Sequence, residues 1–414
     1  MKYVIIGAGS RGTIYGNLAK ENGIQIAAIA EMRPDRLHNA ADMLNVPHSM
    51  RFADADQLFA QGKIADAAII ATMDRDHFGH VMHALDCGYD ILLEKPISPD
   101  PAECIVIEEK ANALGRKITV CHVLRYTSFF STIKDILDSG ELGKIISIKH
   151  SGNIGNFHMA HSFVRGNWRN DVLSSPIILQ KSCHDLDILL WLTGSHCKRV
   201  AAFGSLTFFK ESNAPEGSTD RCLTCPVSQN CRFDAWQAYQ PVLGNWPADV
   251  VCLEQTETAL RKALETGPYG RCVYRCDNNV CDHMSILMEF ENDITATFSL
   301  NAQTSDVHRN IHIMCEHGEI LADDLDKQIH VTHFRRNQAE TPHSRTISAP
   351  VSCSGHGGGD GGIMADFSSS LHDKVESRSS ISRSVESHLM AFAIEHSRKT
   401  GTVVDMEHYR NSLV

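Results

Sequence analysis

The chain has 414 residues, 43% hydrophobic and 21% charged, with a net charge of -11. This length predicts two or three domains with sizeable cores, and the acidic balance argues against a nucleic-acid or anionic-membrane partner, since no basic face is available to neutralise phosphates. No apolar run approaches about 18 residues, so no membrane-spanning segment is expected.

The first expected strand, residues 2–6, begins almost at the amino terminus and leaves no room for a signal peptide. A cytoplasmic location is therefore the expectation, where the 14 cysteines would be thiols or metal ligands rather than disulfides. Gly7-Ala8-Gly9-Ser10-Arg11-Gly12 follows that strand and precedes a helix-compatible stretch, 13–22. A glycine motif so placed is a dinucleotide-binding fingerprint. Gly7 permits the tight turn, Gly9 omits the side chain that would block a pyrophosphate, and Gly12 lets helix and strand pack closely. The phosphates would then meet the free amides and positive dipole end of the helix. Glu31 closes the next strand, 24–30, where a carboxylate can accept from both ribose hydroxyls and repel a 2′-phosphate. That predicts NAD as cofactor, while Arg33 and Arg36 close behind keep NADP open.

Further strands are expected at 66–71, 89–93 and 117–122, with helices at 76–87 and 101–114. This alternation predicts a doubly wound parallel sheet over residues 1–121. Glu94-Lys95-Pro96 closes the strand at 89–93. Alone, a lysine there would be an ordinary solvated side chain. Ligands of open α/β sheets bind outside the carboxyl ends of the strands, however, so Lys95 could reach both a cofactor and a substrate hydroxyl. From Gly143 the pattern changes to alternating strands at 145–152, 199–209, 285–289, 294–301, 310–315 and 329–333. An α+β domain with a mixed or antiparallel sheet is expected over 122–414. A polar, cysteine-bearing insertion, 211–282, interrupts it. A final helix is expected over 384–398, and Ser-rich 368–384 reads as a surface loop.

The glycine fingerprint with Arg11, Thr72 with His77, Glu94-Lys95-Pro96, Arg125-Tyr126, the run Gly140 to Ile145, and His184-x-x-Asp187 resemble the glucose–fructose oxidoreductase, inositol dehydrogenase and rhizopine catabolism family (Gfo/Idh/MocA). The resemblance covers nearly the whole chain except the cysteine insertion. It implies a Rossmann domain followed by an open-faced sheet that binds sugars, cyclitols or glycosides, and that often builds a dimer or tetramer interface. It implies cofactor contacts from Gly7, Gly9, Ser10, Arg11, Gly12, Glu31, Arg36, Thr72, His77, Glu94, Lys95 and Arg125. It also implies that Lys95 and His184 flank the substrate beside the nicotinamide. Many members of the family carry an acid four positions before the histidine; here Gln180 stands there, followed by Lys181, which suggests a distinct subgroup.

A helix is expected from Ser182, near its cap, to before Gly194, with His184 and Asp187 on one face. A histidine at a helix start, satisfied by a neighbouring carboxylate, is commonplace. In this context a neutral imidazole suits removal of a hydroxyl proton as hydride leaves the carbinol carbon. His184 is read as the base and Lys95 as its electrostatic partner, with Lys95 or Lys181 as alternative bases. The stretch 158–169 mixes hydrogen-bonding and stacking groups, as sugar sites do; His158, His161, Arg165, Trp168 and Arg169 are candidate substrate contacts, with Asp187. Asn278, Asp282, His283 and the loop 356–360 are weaker ones.

Cys222-x-x-Cys225 and Cys231, with Cys272 as expected fourth ligand, have the spacing of a structural zinc site. Cys276 or Cys281 would also serve as the fourth ligand. A disulfide, surface thiols or an iron–sulfur cluster are the competing readings. Metal would stand in for a core in an insertion of low apolar content. The expected activity is NAD-dependent oxidation of a ring hydroxyl of a sugar or glycoside, with a small-molecule carbohydrate as partner. The alternatives are an NAD-dependent glycosidase working by oxidation, elimination and reduction, and a non-catalytic regulator sensing NAD or sugar.

Overall fold

Lys2–Ile6 (β1) is buried from Tyr3 onward and pairs in parallel with Gln25–Ala30 (β2) and Ala67–Ile70 (β4). Arg51–Phe52 (β3), Asp90–Leu93 (β5) and Ile118–Val120 (β6) complete a parallel sheet of order β3-β2-β1-β4-β5-β6 in the computed structural model, which describes residues 1–350, 355–373 and 375–413. The strand order reverses between β1 and β4, and ligands of doubly wound sheets bind at such a switch point. Ser10–Glu21 (α1) leaves this edge directly after the glycine loop. The short β3 was not expected, because two half-buried residues carry no alternation to read.

The second sheet has nine strands: Ile145–Asn153 (β7), Cys197–Ser205 (β8), His283–Phe290 (β9), Thr295–Asn301 (β10), His308–Cys315 (β11), Gly318–Asp323 (β12), Gln328–His333 (β13), His343–Ser348 (β14) and Val404–Asp405 (β15). Their order is β14-β13-β12-β11-β7-β10-β9-β8-β15, antiparallel except for the central β10–β7 pair. Strict alternation orients it: Met284, Ile286, Met288 and Phe290 of β9 face the core. The opposite face carries exposed Phe203, Leu287 and Leu321.

Cys183–Thr193 (α2), Gly359–Asp373 (α3) and Ile381–Thr400 (α4) join the two sheets. α4 packs on β8, on α2 and on the helix Pro101–Leu114 of the first sheet. From α3, Ile363, Met364 and Phe367 enter one apolar cluster with Tyr3 and Ile5 of β1. Three expectations are corrected here. Ser-rich 368–384, residue 374 aside, is mainly the last turns of α3 and the first turn of α4 rather than a surface loop, because those helices bury Ser370 and Ser384. The last helix is Met406–Asn411, capped by Asp405, which accepts from the His408 amide. The insertion does possess a small core, in which Ala235, Tyr239, Ala248, Leu260 and Leu264 cluster.

Candidate active site

β5 ends at Leu93, so Glu94 and Lys95 emerge at the carboxyl edge of the first sheet, before a cis Lys95–Pro96 bond. Glu94 is buried and turned towards the glycine loop. It accepts from Arg11 Nε at 2.7 Å and from the Tyr15 hydroxyl at 3.0 Å. Burial would raise this carboxyl, but Arg11 and Lys95 outweigh it and leave the pKa lowered. Arg11 also grips Asp360 of α3, at 2.6 Å from Nη2, and Asp360 in turn contacts His356. The arginine of the fingerprint therefore ties the loop to the strand end and to α3.

The glycine loop has the shape its sequence demands. Gly7 has φ of +88°, and a Cβ there would meet the Ala71 carbonyl oxygen at 2.7 Å. At Gly12 a Cβ would lie 2.0 Å from the Gly7 carbonyl oxygen. Space is open above Gly9, where the nearest atom to an added Cβ is Arg36 Nη1 at 3.6 Å. Such a cradle, with the amino end of α1 behind it, fits a dinucleotide pyrophosphate. Glu31 closes β2 beside it and accepts from the Ala8 amide at 2.8 Å and the Arg33 amide at 3.0 Å. His77 braces the wall, with its ring nitrogens on the Pro96 and Thr72 carbonyl oxygens. The Thr72 hydroxyl meets His80.

Lys95 Nζ donates to the Gln180 carbonyl oxygen at 2.9 Å and to Gln180 Oε1 at 2.8 Å. An ammonium has three donors, so one remains. Gln180 Nε2 passes the contact on to buried Asp74 at 3.0 Å, and the Ser174 and Ser175 hydroxyls also donate to that carboxylate. Gln180 thus links Lys95 to an acid at one remove, through an amide. Lys181, one residue on, is partly exposed and its ammonium makes no hydrogen bond among the described residues. Burial, then Arg309 and Lys95, bring its pKa down to about 7.

His184 sits in the first turn of α2, with Ser182 at the cap position and Gly194 closing the helix in the left-handed conformation. It does not bond to Asp187. That carboxylate takes a two-pronged contact from Arg125, at 2.7 and 2.6 Å, both side chains buried. His184 Nδ1 is buried and has no hydrogen-bond partner among the described residues. Burial, followed by the charges at Lys95, His122 and Arg309, holds the imidazole well below its usual pKa, so it is neutral at pH 7. A row of rings continues behind it: His184 to His122 at 5.8 Å, and His122 to His388 at 5.5 Å. His388 Nδ1 lies on the Ser384 carbonyl oxygen, and Nε2 accepts from the Ile97 amide, which specifies the neutral ring. Burial and His122 lower its pKa to about 3.

Asp185 faces the second sheet, where Arg309 Nε of β11 and His150 Nε2 of β7 meet it at 2.7 and 2.9 Å. Burial would raise this carboxyl, yet Arg309 and His150 overcome it and the pKa falls. His158 responds to the same groups: burial lowers its pKa first, then its neighbours Lys181, His161, Lys95 and Arg309.

The rest of the expected substrate wall lies elsewhere. Residues Met159–Arg165 form a π-helix whose Arg165 is fully buried in the insertion, donating to the Arg271 and Phe233 carbonyl oxygens. His161 shares a hydrogen bond with the Tyr239 hydroxyl. Trp168 packs against Phe163, Arg169 pairs with Asp277, and His283 at the start of β9 pairs with Asp282 just before it. Sequence reasoning missed Asp74, His122, His150, Arg309 and His388. At His150 the signal was a polar residue on the inward-facing positions of β7, in alternation with Ile148 and Gly152.

Cys222, Cys225, Cys231 and Cys272 all line one cavity of about 20 Å³. They are not drawn together as ligands: among the described residues no group of three or more His, Cys, Asp or Glu side chains is arranged to hold a metal ion. Arg165 Nη2 donates to Cys222 Sγ at 3.3 Å.

A family model described as an oxidoreductase family with an NAD-binding Rossmann fold matches residues 1–122, and a model of the GFO/IDH/MocA C-terminal domain matches residues 130–321. The chain belongs to the Gfo/Idh/MocA oxidoreductase family. This family member is 27% identical to an inositol 2-dehydrogenase of Corynebacterium glutamicum over 47% of its own length and 55% of the relative's. It is 26% identical to an inositol 2-dehydrogenase of Pseudarthrobacter chlorophenolicus over 53% and 61%. The chain spans about half the length of the curated relatives it matches. The same fold occurs in an Agrobacterium radiobacter oxidoreductase solved with NAD+, L-tartaric acid and magnesium, with a TM-score of 0.72, 17% identity and 99% of each chain covered. No helix among the described residues of this Gfo/Idh/MocA oxidoreductase is long and apolar enough to cross a membrane.

Proposed function

We propose that the protein oxidises a ring hydroxyl of a sugar or glycoside, with NAD as hydride acceptor. The observation that carries this reading is the meeting of Lys95, from the nucleotide-binding sheet edge, with Gln180, four residues before a neutral His184. NAD, its pyrophosphate held at the glycine loop of Gly7, Gly9 and Gly12 and its ribose at Glu31, would supply the redox chemistry as hydride acceptor. His184 takes the hydroxyl proton, and the remaining Lys95 N–H holds the oxygen as negative charge develops. The carbinol becomes a ketone, one hydride and one proton leaving it. Asp74 and Gln180 orient Lys95; Arg309 and Asp185 shape the wall beyond. Residues 1–121 form the nucleotide-binding unit and 122–414 the substrate unit in this reading.

A panel of sugars and glycosides incubated with the protein and NAD, followed at the NADH absorbance and by assay of released sugar, tests it. Stoichiometric NADH is the expected result. Sugar release without net NADH would replace it with a redox-neutral glycosidase, and inertness towards the whole panel would favour a sensing role.

Two structural assignments accompany the reading. The exposed Phe203, Leu287 and Leu321 face of the second sheet is assigned to a homo-oligomer interface; light scattering at the mass of a monomer would reject it. Cys222, Cys225, Cys231 and Cys272 are assigned to one structural zinc ion, supported by the cavity they share and requiring their thiols to turn into it.

A further inference from the structure

Between the insertion and the segment 157–165 lies a cavity of about 290 Å³ that the chemistry above leaves unused. Phe157, His161, Tyr239, Val242 and Trp246 are among its lining residues; Arg165 and Gln237 are its charged and amide members, and the Arg165 guanidinium is engaged by the Arg271 and Phe233 carbonyl oxygens. Its rings are pre-positioned. His161 stacks on Tyr269 with centroids 4.7 Å apart, and the edge of Trp246 meets His161 at 5.4 Å. Burial, then Arg165, lower the His161 pKa to about 4, so no imidazolium charge intrudes at neutral pH. Phe157 and Trp246 nevertheless remain 56% and 51% exposed, large rings that an occupant would cover.

His158 links the cavity to the candidate active site. Trp246 meets its ring at 5.1 Å, and the charges of Lys181, Lys95 and Arg309 act on that same imidazole. A polar site with lysines and a carboxylate thus borders a compartment walled mainly by rings and aliphatic carbon, with Arg165 and Gln237 as its polar members. A free sugar has hydroxyls around its rim and leaves such a compartment empty. A second sugar would carry those hydroxyls into it, where few polar groups could receive them. A flat aromatic group matches both the lining and the size, which is near the lower limit of about 300 Å³ for ligand sites.

We propose that this cavity is an aglycone subsite and that the substrate is a glycoside carrying an aromatic aglycone. The proposal rests on the carbohydrate reading above, with the sugar ring at Lys95 and His184 and the aglycone beneath Trp246. The polar half places the reacting hydroxyl and the apolar half supplies affinity.

The test uses the full chain with NAD. 4-Nitrophenol alone, and paired methyl and phenyl glycosides of each sugar in both anomers, are titrated by calorimetry and assayed for NADH. Binding of 4-nitrophenol is expected, together with at least about tenfold tighter binding of a phenyl than of the matching methyl glycoside, from the apolar area buried. Both effects should collapse in Trp246→Ala, a truncation of a half-exposed side chain, and in Ala238→Phe, which fills the cavity from another residue of its lining. Failure of 4-nitrophenol to bind, equal affinities within every pair, or an advantage that survives both variants overturns the subsite. NADH formation with no phenyl preference would reject the subsite and leave the dehydrogenase reading standing. Phenyl preference without any hydride transfer would do the reverse.

Discussion

Lys95, Lys181 and His184 share one small region, and their protonation states decide what each can do there. On the proposed reading His184 is the base, because burial and its cationic neighbours keep the ring neutral. A base works only when unprotonated, so the rate climbs as pH rises through its pKa and then levels. With His184 as base, turnover should already be on its plateau at pH 6.5. His184→Ala should lose at least about a hundredfold, and Lys181→Met should retain the flat profile. The decisive measurement is turnover against pH in the three proteins. A limb centred near pH 7 that vanishes in Lys181→Met would transfer the proton-accepting role to Lys181, whose pKa is about 7. Gln180 shows how a local departure is compensated: an amide has no charge for Lys95, but it relays the contact to Asp74.

Among the elements, the glycine turn and α1 were readable because their constraints are local. Turn, close approach and helix packing each forbid a side chain at one position, and each leaves a glycine behind. The helix of residues Pro101–Leu114 was legible to the residue for a similar reason, with Asp100 capping it, Pro101 starting it and Gly115 ending it in the left-handed conformation. The insertion was harder. Its polar composition hid a small core, since a few apolar residues on short helices suffice when they meet. Zinc is therefore not needed to replace a core, and its assignment stands on the four thiols around one cavity. Freshly purified, reduced protein should contain about one zinc per chain, measured by elemental analysis; metal-free protein with unaltered thermal stability would remove the assignment.

Across the whole molecule, the ion pair of Arg125 and Asp187 joins the segment leaving the first sheet to the helix that carries His184. Burial raises the Asp187 carboxyl while Arg125 opposes it, and a second Arg125 contact reaches the Arg378 carbonyl oxygen. Removing one partner leaves a buried charge uncompensated, at a cost of about 3–5 kcal/mol. Asp187→Ala should therefore lower the denaturation midpoint markedly, read by urea titration followed by circular dichroism. A midpoint equal to that of the unaltered protein would mean the pair contributes nothing to joining the sheets. The motif His184-x-x-Asp187 suggested a mutual contact, because residues three apart share a helix face. The buried guanidinium presents a stronger, two-pronged partner from outside the helix, and it wins.

What the amino-acid order carried was the parallel sheet with its glycine turn, the alternating second sheet, and the family to which the chain belongs. These follow from periodicity and from steric prohibitions that act within a few residues. What it did not carry was the partner of each buried polar group. Lys95 finds Gln180 85 residues away, Asp74 finds Gln180 across 106, and His388 reaches Ile97 across 291. Over such separations nothing in local spacing distinguishes one carboxylate or amide from another. The fold chooses, because a polar group taken out of water must bond to whatever the packing sets beside it. The same rule drew Arg165 into the insertion, and His184 Nδ1, which has no partner among the described residues, stands as an exception to it.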